Sequence, residues 1–293
     1  MERLAIVNAD DFGLSPGVNN AIMRAHREGI LTSASLMATG DAFDEAITLT
    51  RCQPSLSIGI HLVLVEGKPV SPLARIPSLV ASGGTFHSSL RAFMLRWMTG
   101  RIRRVDVERE WGAQVEKVLA RGLRVEKLDS HMHLHLLPGI FPVAVALAKR
   151  YQIPGIRLPR EWVGSSQPSA APPALLKRYI LTCLAAIHGR RAVGTNLLCA
   201  DRFRGIVESG CLTEQSLLRI LATLQPGVTE IMVHPGYRDA VLDAWPRSRF
   251  YARETEVEAL ISPAIKAFVA TSDIRLINFV EMRNLVHAAK PDV

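Results

Sequence analysis

With 293 residues, of which 48% are hydrophobic, the chain can fold as one large α/β domain or as two small domains. No run approaches the roughly 18 apolar residues that cross a bilayer, and the first residues lack the pattern of a signal peptide, so we expect a cytoplasmic protein. The net charge of +8 fits nucleic acid, an anionic membrane surface or simple solubility, but no nucleic-acid-binding motif accompanies it and only 6% of the residues are aromatic, so we expect no nucleic-acid partner.

Short β-type runs alternate with longer helical patterns along almost the whole chain, which is typical of βα units around a parallel sheet. Strands are predicted at 4–8, 31–38, 55–64, 126–130, 155–158, 195–198, 229–234 and 274–279. Helices are predicted to begin near Ser15, Asp41, Ser88, Val105, Ile140, Pro173, Thr213 and Arg253.

Roughly eight such units favour a barrel over an open doubly wound sheet. No Gly-x-Gly-x-x-Gly follows the first strand, which weakens the dinucleotide-binding alternative. We therefore expect residues 1–293 to form a single α/β domain, an irregular TIM-like (β/α) barrel with its site at the C-terminal ends of the strands.

Two stretches, at about 66–104 and 160–173, interrupt the alternation with Pro, Gly and Ser residues. In a barrel both would follow strands at the catalytic end, so we expect lid or substrate-shaping loops there. Plain surface insertions are the alternative.

The four cysteines are widely scattered and include no Cys-x-x-Cys pair, so neither a zinc ribbon nor a redox motif is supported. We expect Cys52, Cys183, Cys199 and Cys211 to be buried, reduced thiols.

Two adjacent aspartates, Asp10 and Asp11, follow the first apolar run and precede a Phe-Gly turn. Neighbouring residues in a regular strand face opposite sides, so both can reach one site only if the strand ends or bulges here. This geometry suggests that one carboxylate binds an ion while the other takes a proton from a water molecule.

Three later apolar runs end in a histidine, namely His61, His131 and His234. Carboxylate oxygen and imidazole nitrogen suit one divalent ion, zinc or magnesium, and a catalytic site uses about three protein ligands. Asp11, His61 and His131 would form such a set if the barrel brought their strand ends together. His234, before a Pro-Gly turn, fits a general acid across the cleft, or else a core histidine bonded to a backbone carbonyl.

The segment after the fourth strand has histidines at every second position, His131, His133 and His135. In an extended conformation all three would point the same way. A single ion rarely needs all of them, and a polar strand end with structural histidines is the alternative.

Four motifs in order resemble the YdjC-like carbohydrate deacetylases from the first residue to about Met282: Asn-Ala-Asp-Asp-Phe-Gly at 8–13, Gly-Ile-His-Leu at 59–62, Asp-Ser-His-Met-His at 129–133 and Val-His-Pro-Gly at 233–236. The resemblance implies an irregular (β/α) barrel that removes N-acetyl groups from amino sugars with a divalent metal. It implies that the metal ligands are Asp11, His61 and His131. It also implies that Asp10 is the general base and His234 the general acid.

Three further residues are candidates for contact with the substrate. By the resemblance, His133 would lie beside the metal without binding it. Arg157, at the end of the fifth predicted strand, could orient the base or a sugar hydroxyl, or form a structural ion pair. Asp201, after the sixth, could contact the substrate or cap a loop.

Within the family the chain most resembles the hopanoid-biosynthesis-associated branch, which implies an acetylglucosaminyl hopanoid lipid as the substrate. Independently, a helical pattern after Ser88 has an apolar face made of Phe86, Leu90, Phe93, Met94, Trp97 and Met98. Arginines lie around or just beyond that face at Arg91, Arg96, Arg101, Arg103 and Arg104. Such a helix predicts peripheral contact with an anionic inner membrane, and a lid helix packed on the core is the alternative.

Two rival functions stay open. The first is a deacetylase of soluble chito-oligosaccharides, which needs an open polar groove. The second is a non-catalytic lipid- or sugar-binding protein of a biosynthetic complex. A glycosidase using Asp10 and Asp11 fits less well, because its carboxyls should flank a bond at about 5 Å or more. One carboxylate with two histidines accommodates several divalent metals, and no pattern indicates the oligomeric state.

Overall fold

The computed structural model describes residues 2–161, 171–192, 195–245 and 248–288. In those residues the strands are β1 (Arg3–Phe12), β2 (Ser33–Leu36), β3 (Ser57–Leu62), β4 (Lys127–Ser130), β5 (Gly155–Ile156), β6 (Arg202–Arg204), β7 (Gly227–Val233) and β8 (Ile274–Leu276). The helices are α1 (Pro16–Glu28), α2 (Phe43–Arg51), α3 (Leu90–Met98), α4 (Arg104–Leu119), α5 (Phe141–Arg150), α6 (Pro172–Ala192), α7 (Glu214–Ala222), α8 (Ala240–Ala244), α9 (Arg253–Ile261), α10 (Pro263–Thr271) and α11 (Phe279–Ala288).

The strands form one parallel sheet in the order β5-β4-β3-β2-β1-β7-β6. One edge of β1 pairs with β7, while the other edge pairs with β8 in its first half and with β2 in its second. The outer strands approach each other, since Phe203 N donates to Arg160 O at 3.1 Å and Leu198 N donates to Pro154 O at 2.8 Å. The sheet is thus curled into a half-barrel with helices around it, which confirms the predicted irregular (β/α) barrel.

Burial on both faces explains the largely apolar runs in β1 and β3. Along β1, Ala5, Val7 and Ala9 belong to the main core, whereas Ile6 packs in a smaller cluster with Ile277. The polar residues of β1 follow at its carboxyl end. Strand β1 therefore has an apolar body and a polar carboxyl end.

The helix starts were largely predictable, and a capping side chain marks the start of α1, α3 and α7. Each predicted helix begins within two residues of the expected position. Ser15, for example, accepts a hydrogen bond from Val18 N at 3.2 Å and is followed by a proline at the first helical position. Helices α8, α10 and α11 were not predicted.

The sixth predicted strand is wrong. Residues 195–198 contribute only an isolated bridge between Leu198 and Gly155, and β6 lies later, at Arg202–Arg204. Leu197 and Leu198 are apolar because they contact the core and the edge of β5. In the sequence, a short apolar run of this kind cannot be distinguished from a strand.

The first interruption, 66–104, contains α3 and a 3-10 turn at Leu73–Arg75. It is closed at its base by two backbone hydrogen bonds, from Glu66 N to His87 O at 3.1 Å and from Phe86 N to Gly67 O at 3.0 Å. For the second interruption, 160–173, the predicted lid falls mainly on residues 162–170, which lie outside the described residues.

Helix α3 packs on the barrel through most of its apolar face. Phe86 and Phe93 are buried, and Trp97 Nε1 donates to Pro138 O at 3.2 Å. Leu95 and Met98 remain 59% and 69% exposed. The stripe predicted to face a membrane therefore mainly faces the core, as in the lid-helix alternative. Within the described ranges, no helix has both the length and the apolar character required to cross a bilayer.

All four cysteines are free thiols, but their predicted burial is wrong. Cys52, Cys183 and Cys211 are exposed, and Cys199 is half-buried.

Candidate metal centre and catalytic site

The carboxyl ends of β1, β3, β4 and β7 meet at one cavity of about 570 Å³, measured to its open mouth. Its wall includes predicted site residues from each of these strand ends: Asp10, His61, His131, His133 and His234. Leu90 of α3 and Lys177 of α6 also line the cavity.

A bulge in β1 directs both aspartates to the same side. The register with β2 shifts between Ala9 and Phe12, and Asp11 has a φ of 67°. As a result Asp10 Oδ2 lies 4.0 Å from His61 Nδ1, and Asp11 Oδ1 lies 3.6 Å from His61 Nε2. The irregularity that two neighbouring carboxylates need in order to share a site is present.

The donor set fits a divalent cation at Asp11. Its Oδ1 is buried, has no hydrogen-bond partner in the described part of the chain, and lies 3.6 Å from His61 Nε2 and 3.5 Å from His131 Nδ1. All three atoms lie within 4.8 Å of one another. Ligands about 2.1 Å from a tetrahedral zinc ion lie about 3.4 Å apart, close to the two carboxylate distances here.

A second group, Asp10, His61 and Asp129, is also close enough for a metal but is already neutralised. Arg157 donates to both oxygens of Asp10 at 2.7 Å, and Asp129 accepts from Lys127 and from His61 Nδ1. These partners leave no room for a further cation, so the group around Asp11 is the better metal site.

The electrostatics at Asp11 also favour a cation. Burial alone would raise the pKa of Asp11, but Arg253, which donates to Oδ2 at 2.6 Å, and His131 hold that pKa well below its usual range. Burial alone would lower the pKa of His131, yet Asp11 and Glu66 raise it to about 9. The cluster thus attracts positive charge to the place where the three donor atoms converge.

Arg157 lies beneath the cavity and is fully engaged by acidic groups. Besides Asp10, its Nε donates to Glu230 Oε1 at 2.9 Å. Burial alone would raise the pKa of Asp10, but Arg157 and His61 lower it, so the carboxylate stays ionised. Of the roles considered, contact with the predicted base fits this position best, because Nη1 and Nη2 both donate to Asp10.

The extended conformation expected for the histidine run is wrong. After β4 the chain forms a 3-10 turn, with Met132 and His133 left-handed at φ 56° and 57°. Only His131 faces Asp11. His135 Nε2 donates to Arg157 O at 2.9 Å and its Nδ1 accepts from the Ser130 hydroxyl at 2.7 Å, so it is structural.

His133 lies in the cavity wall, edge-on to Phe203 with 6.1 Å between ring centroids. Burial and the nearby Lys177 hold its pKa well below its usual range. A neutral imidazole therefore lines the cavity beside the candidate ligands His61 and His131.

His234 follows β7, and its backbone N donates to Glu256 Oε2 at 2.5 Å. Its ring meets Tyr251 edge-on at 5.2 Å, and Nδ1 has no hydrogen-bond partner among the residues described. Burial lowers the pKa of His234 to about 4, although Asp10 and Asp11 act in the opposite direction. The unpaired nitrogen does not fit a core histidine bonded to a carbonyl.

Asp201 is far from this site. It accepts from Val228 N at 2.8 Å, at the amino end of β7, whereas the cavity lies at the carboxyl end. The expected substrate contact does not fit this position, and the loop-capping alternative does.

Three site residues escaped the sequence interpretation: Asp129 as a partner of His61, Glu66 as a partner of His131, and Arg253 as a partner of Asp11. Asp129 had a detectable signal, because it is the cross-strand neighbour of His61 in the β3–β4 register. Glu66 and Arg253 come from a loop and a helix start that have no periodic relation to the strands.

The profile of the YdjC-like protein family matches residues 4–271. The chain belongs to the YdjC-like protein family. This confirms the family resemblance seen in the four motifs.

Relatives match nearly the whole chain. A carbohydrate deacetylase from Brevibacillus brevis is 36% identical over 281 residues, which cover 94% of this chain and 98% of the relative. A chitooligosaccharide deacetylase from Salmonella paratyphi B is 30% identical over 291 residues, covering 96% and 100%. A solved structure from Enterococcus faecalis, described as a candidate cellobiose-phosphate cleavage protein, superposes with a TM-score of 0.75 at 26% identity and covers 96% and 99%.

Proposed function

We propose that the protein is a metal-dependent N-deacetylase that hydrolyses the acetamide of an acetylated amino sugar. The observation that carries the proposal is the buried, unpartnered Asp11 Oδ1, which faces one nitrogen each of His61 and His131 while Asp10 lies beside it. The names of the relatives support the same class of reaction.

In this proposal Asp11, His61 and His131 hold one divalent cation, zinc or magnesium, which when bound would polarise the acetamide carbonyl and make water more acidic. Asp10 takes the proton from the attacking water. An ionised carboxylate has about four lone-pair sites. Asn8 and Arg157 occupy three of those on Asp10, which leaves one on Oδ2 to act as a base.

His234 protonates the departing amine, which is otherwise a very poor leaving group. Its imidazole is neutral in the resting site because burial lowers its pKa to about 4. Negative charge that develops on the reacting carbonyl would raise that pKa, so His234 would take up a proton from water in the open cavity and pass it to the amine as the C–N bond breaks, while Asp10 returns the proton of the attacking water to solvent. The products are acetate and a free amino sugar.

For the finer substrate we favour a lipid-linked amino sugar, an acetylglucosaminyl hopanoid lipid, reached by peripheral contact with the anionic cytoplasmic face of the inner membrane. Helix α6 supports this choice, because Leu176, Tyr179, Ile180 and Ile187 recur on one face and are 48% to 62% exposed. The same helix contributes Lys177 to the cavity. An exposed apolar face on a helix that also lines the cavity suits a substrate whose sugar enters while its lipid stays in the bilayer.

The second candidate is a deacetylase of soluble chito-oligosaccharides, favoured by the Salmonella paratyphi B relative. A non-catalytic binding protein is disfavoured, because it would not need the base, the acid and the three donors together.

Acetate release tests these alternatives. Chelator-treated protein is assayed with N-acetylated chitobiose and with an N-acetylglucosaminyl lipid in vesicles, before and after zinc or magnesium is added. We expect release from the lipid only with metal. Release from chitobiose alone would select the second candidate. No release from any acetylated sugar, metal or not, would contradict the deacetylase itself.

Flotation with anionic liposomes tests the membrane contact. We expect wild type to float and a Leu176→Ser/Ile180→Ser variant to remain in the bottom fraction. Leu73→Ser is the matched control, because Leu73 is also exposed but lies outside α6, in the 3-10 turn Leu73–Arg75. An Arg101/Arg103/Arg104 triple-Ala variant measures the contribution of charge. Soluble behaviour of wild type would contradict the membrane proposal without affecting the metal chemistry.

A further inference from the structure

A second carboxylate lies behind the metal site, on the far side of His131. Glu66 Oε2 is 3.5 Å from His131 Nε2, while Nδ1 of the same ring is 3.5 Å from Asp11 Oδ1. Glu66 is 2% exposed. Neither Glu66 Oε2 nor His131 Nε2 has a regular hydrogen-bond partner in the described ranges, and the two atoms form an ion pair at that distance.

The backbone holds Glu66 in an uncommon conformation. Its φ is 64°, in the left-handed region that residues with a side chain rarely adopt. The hydrogen bonds from Glu66 N to His87 O and from Phe86 N to Gly67 O fix this turn. Outliers of this kind tend to persist where the surrounding structure imposes them for a functional reason.

His61 has the same arrangement on the other side of Asp11. Asp129 Oδ1 accepts from His61 Nδ1 at 2.6 Å, and His61 Nε2 faces Asp11. Each candidate imidazole ligand therefore lies between a buried carboxylate and Asp11. A carboxylate behind a metal-binding histidine fixes its tautomer and raises its basicity.

We propose that Glu66 is a positioning residue that holds Nε2–H of His131 and so presents Nδ1 to the cation at Asp11. Because Glu66 is the first residue of the 66–104 insertion, it also links the metal site to the segment that carries α3 and the cavity residue Leu90. The inference rests on the proposed metal-dependent function.

Zinc titration of chelator-treated protein by calorimetry tests the proposal, with wild type, Glu66→Gln and Glu66→Ala. Gln keeps an oxygen acceptor but loses the charge, whereas Ala loses both. We expect the zinc Kd to rise about 10-fold for Gln and about 100-fold for Ala. Glu108→Gln is the matched control, since Glu108 is exposed on α4, and its Kd should equal that of wild type.

Thermal unfolding separates positioning from a folding defect. Metal-free Glu66→Gln should melt near metal-free wild type, while the rise in Tm on adding zinc should be smaller. A wild-type Kd in both Glu66 variants would overturn the positioning role and leave the proposed function intact. Failure of wild type itself to bind zinc, magnesium or manganese would overturn the proposed function and this inference together.

Discussion

Asp129 Oδ1 lies 2.6 Å from Nδ1 of His61, and this contact turns the other nitrogen, Nε2, toward Asp11. Burial alone would raise the pKa of Asp129, but Arg157 and Lys127 hold it well below its usual range. An ionised carboxylate accepts and cannot donate, so His61 Nδ1 must carry the proton. Nε2 then keeps the lone pair that a metal requires.

Replacing Asp129 by Asn should weaken metal binding. An amide can donate to Nδ1 as well as accept, so the tautomer of His61 is no longer enforced, and we expect the zinc Kd to rise about 10- to 100-fold. Loss of the negative charge also leaves the buried cations of Lys127 and Arg157 with one fewer carboxylate to neutralise them. The free energy of unfolding should therefore fall by about 3–5 kcal/mol. Calorimetry and denaturant unfolding measure the two effects.

Ser35→Ala is the control for Asp129→Asn. It removes the 2.7 Å hydrogen bond to Asp129 Oδ2 but leaves the contact with His61 in place. It should lower stability with little change in metal affinity. Equal zinc affinity in wild type and Asp129→Asn would mean that this carboxylate does not orient the ligand.

The two aspartates should respond differently to the same amide substitution. Asp10→Asn is expected to keep the metal and lose acetate release by about 10²- to 10⁴-fold, because it removes the base but none of the three ligands. Asp11→Asn is expected to lose metal affinity first. Metal titration and acetate release on both variants check this division, and unchanged turnover of Asp10→Asn would refute its assignment as the base.

Much of the site could be predicted because its main residues follow strands. Parallel strands bring their carboxyl ends to one rim, so Asp11, His61, His131 and His234 could be grouped from strand patterns alone. The sequence showed only that β1 must end or bulge for both aspartates to reach one site. It did not show which of the two occurs, because the φ of Asp11 depends on pairing with β2.

The remaining contacts could not be predicted, because they join distant segments with no shared period. Arg253 meets Asp11 across 242 residues, from the first turn of α9. Alternation gave His131, His133 and His135 one common direction, which is wrong for His135, because the left-handed turn that follows β4 is set by tertiary contacts such as the bond from His135 to Arg157 O. Periodicity identifies an apolar face of α3, but whether that face meets the core or solvent depends on the barrel.

Removing the imidazole of His234 should slow the reaction without affecting metal binding. For His234→Ala we expect kcat to fall about 10²- to 10⁴-fold while the zinc Kd stays at the wild-type value. The defect should shrink for an aryl acetamide, whose weakly basic amine leaves without a proton. Acetate release from an acetylated sugar and from the aryl amide gives the comparison, and equal losses on both would exclude the acid role.

The pH dependence of stability offers a test away from the metal ligands. His135 is buried, and burial lowers its pKa in the folded protein to about 4, against 6.5 for an ordinary histidine. Between these two pKa values, His135 therefore binds a proton in the unfolded chain but not in the folded chain. The stabilising contribution of neutral His135 is fully present above about pH 6.5 and is lost as the pH falls toward 4. At about 1.4 kcal/mol per pH unit for one proton, the loss approaches about 3 kcal/mol.

Glu161 and Glu256 change the free energy of unfolding in the opposite direction over a similar pH range. The contribution of His135 must therefore be obtained as a difference between two proteins. Burial raises the pKa values of both glutamates to about 7, and the resulting stability is lost as the pH rises through that value. These effects cancel when the unfolding free energy of His135→Gln is subtracted from that of wild type at each pH. The difference should shrink by about 3 kcal/mol from pH 7 to pH 4, whereas His287→Gln, at an exposed histidine, should give a flat difference. Parallel curves for wild type and His135→Gln would mean that the folded protein accepts a proton on His135 as readily as the unfolded chain does.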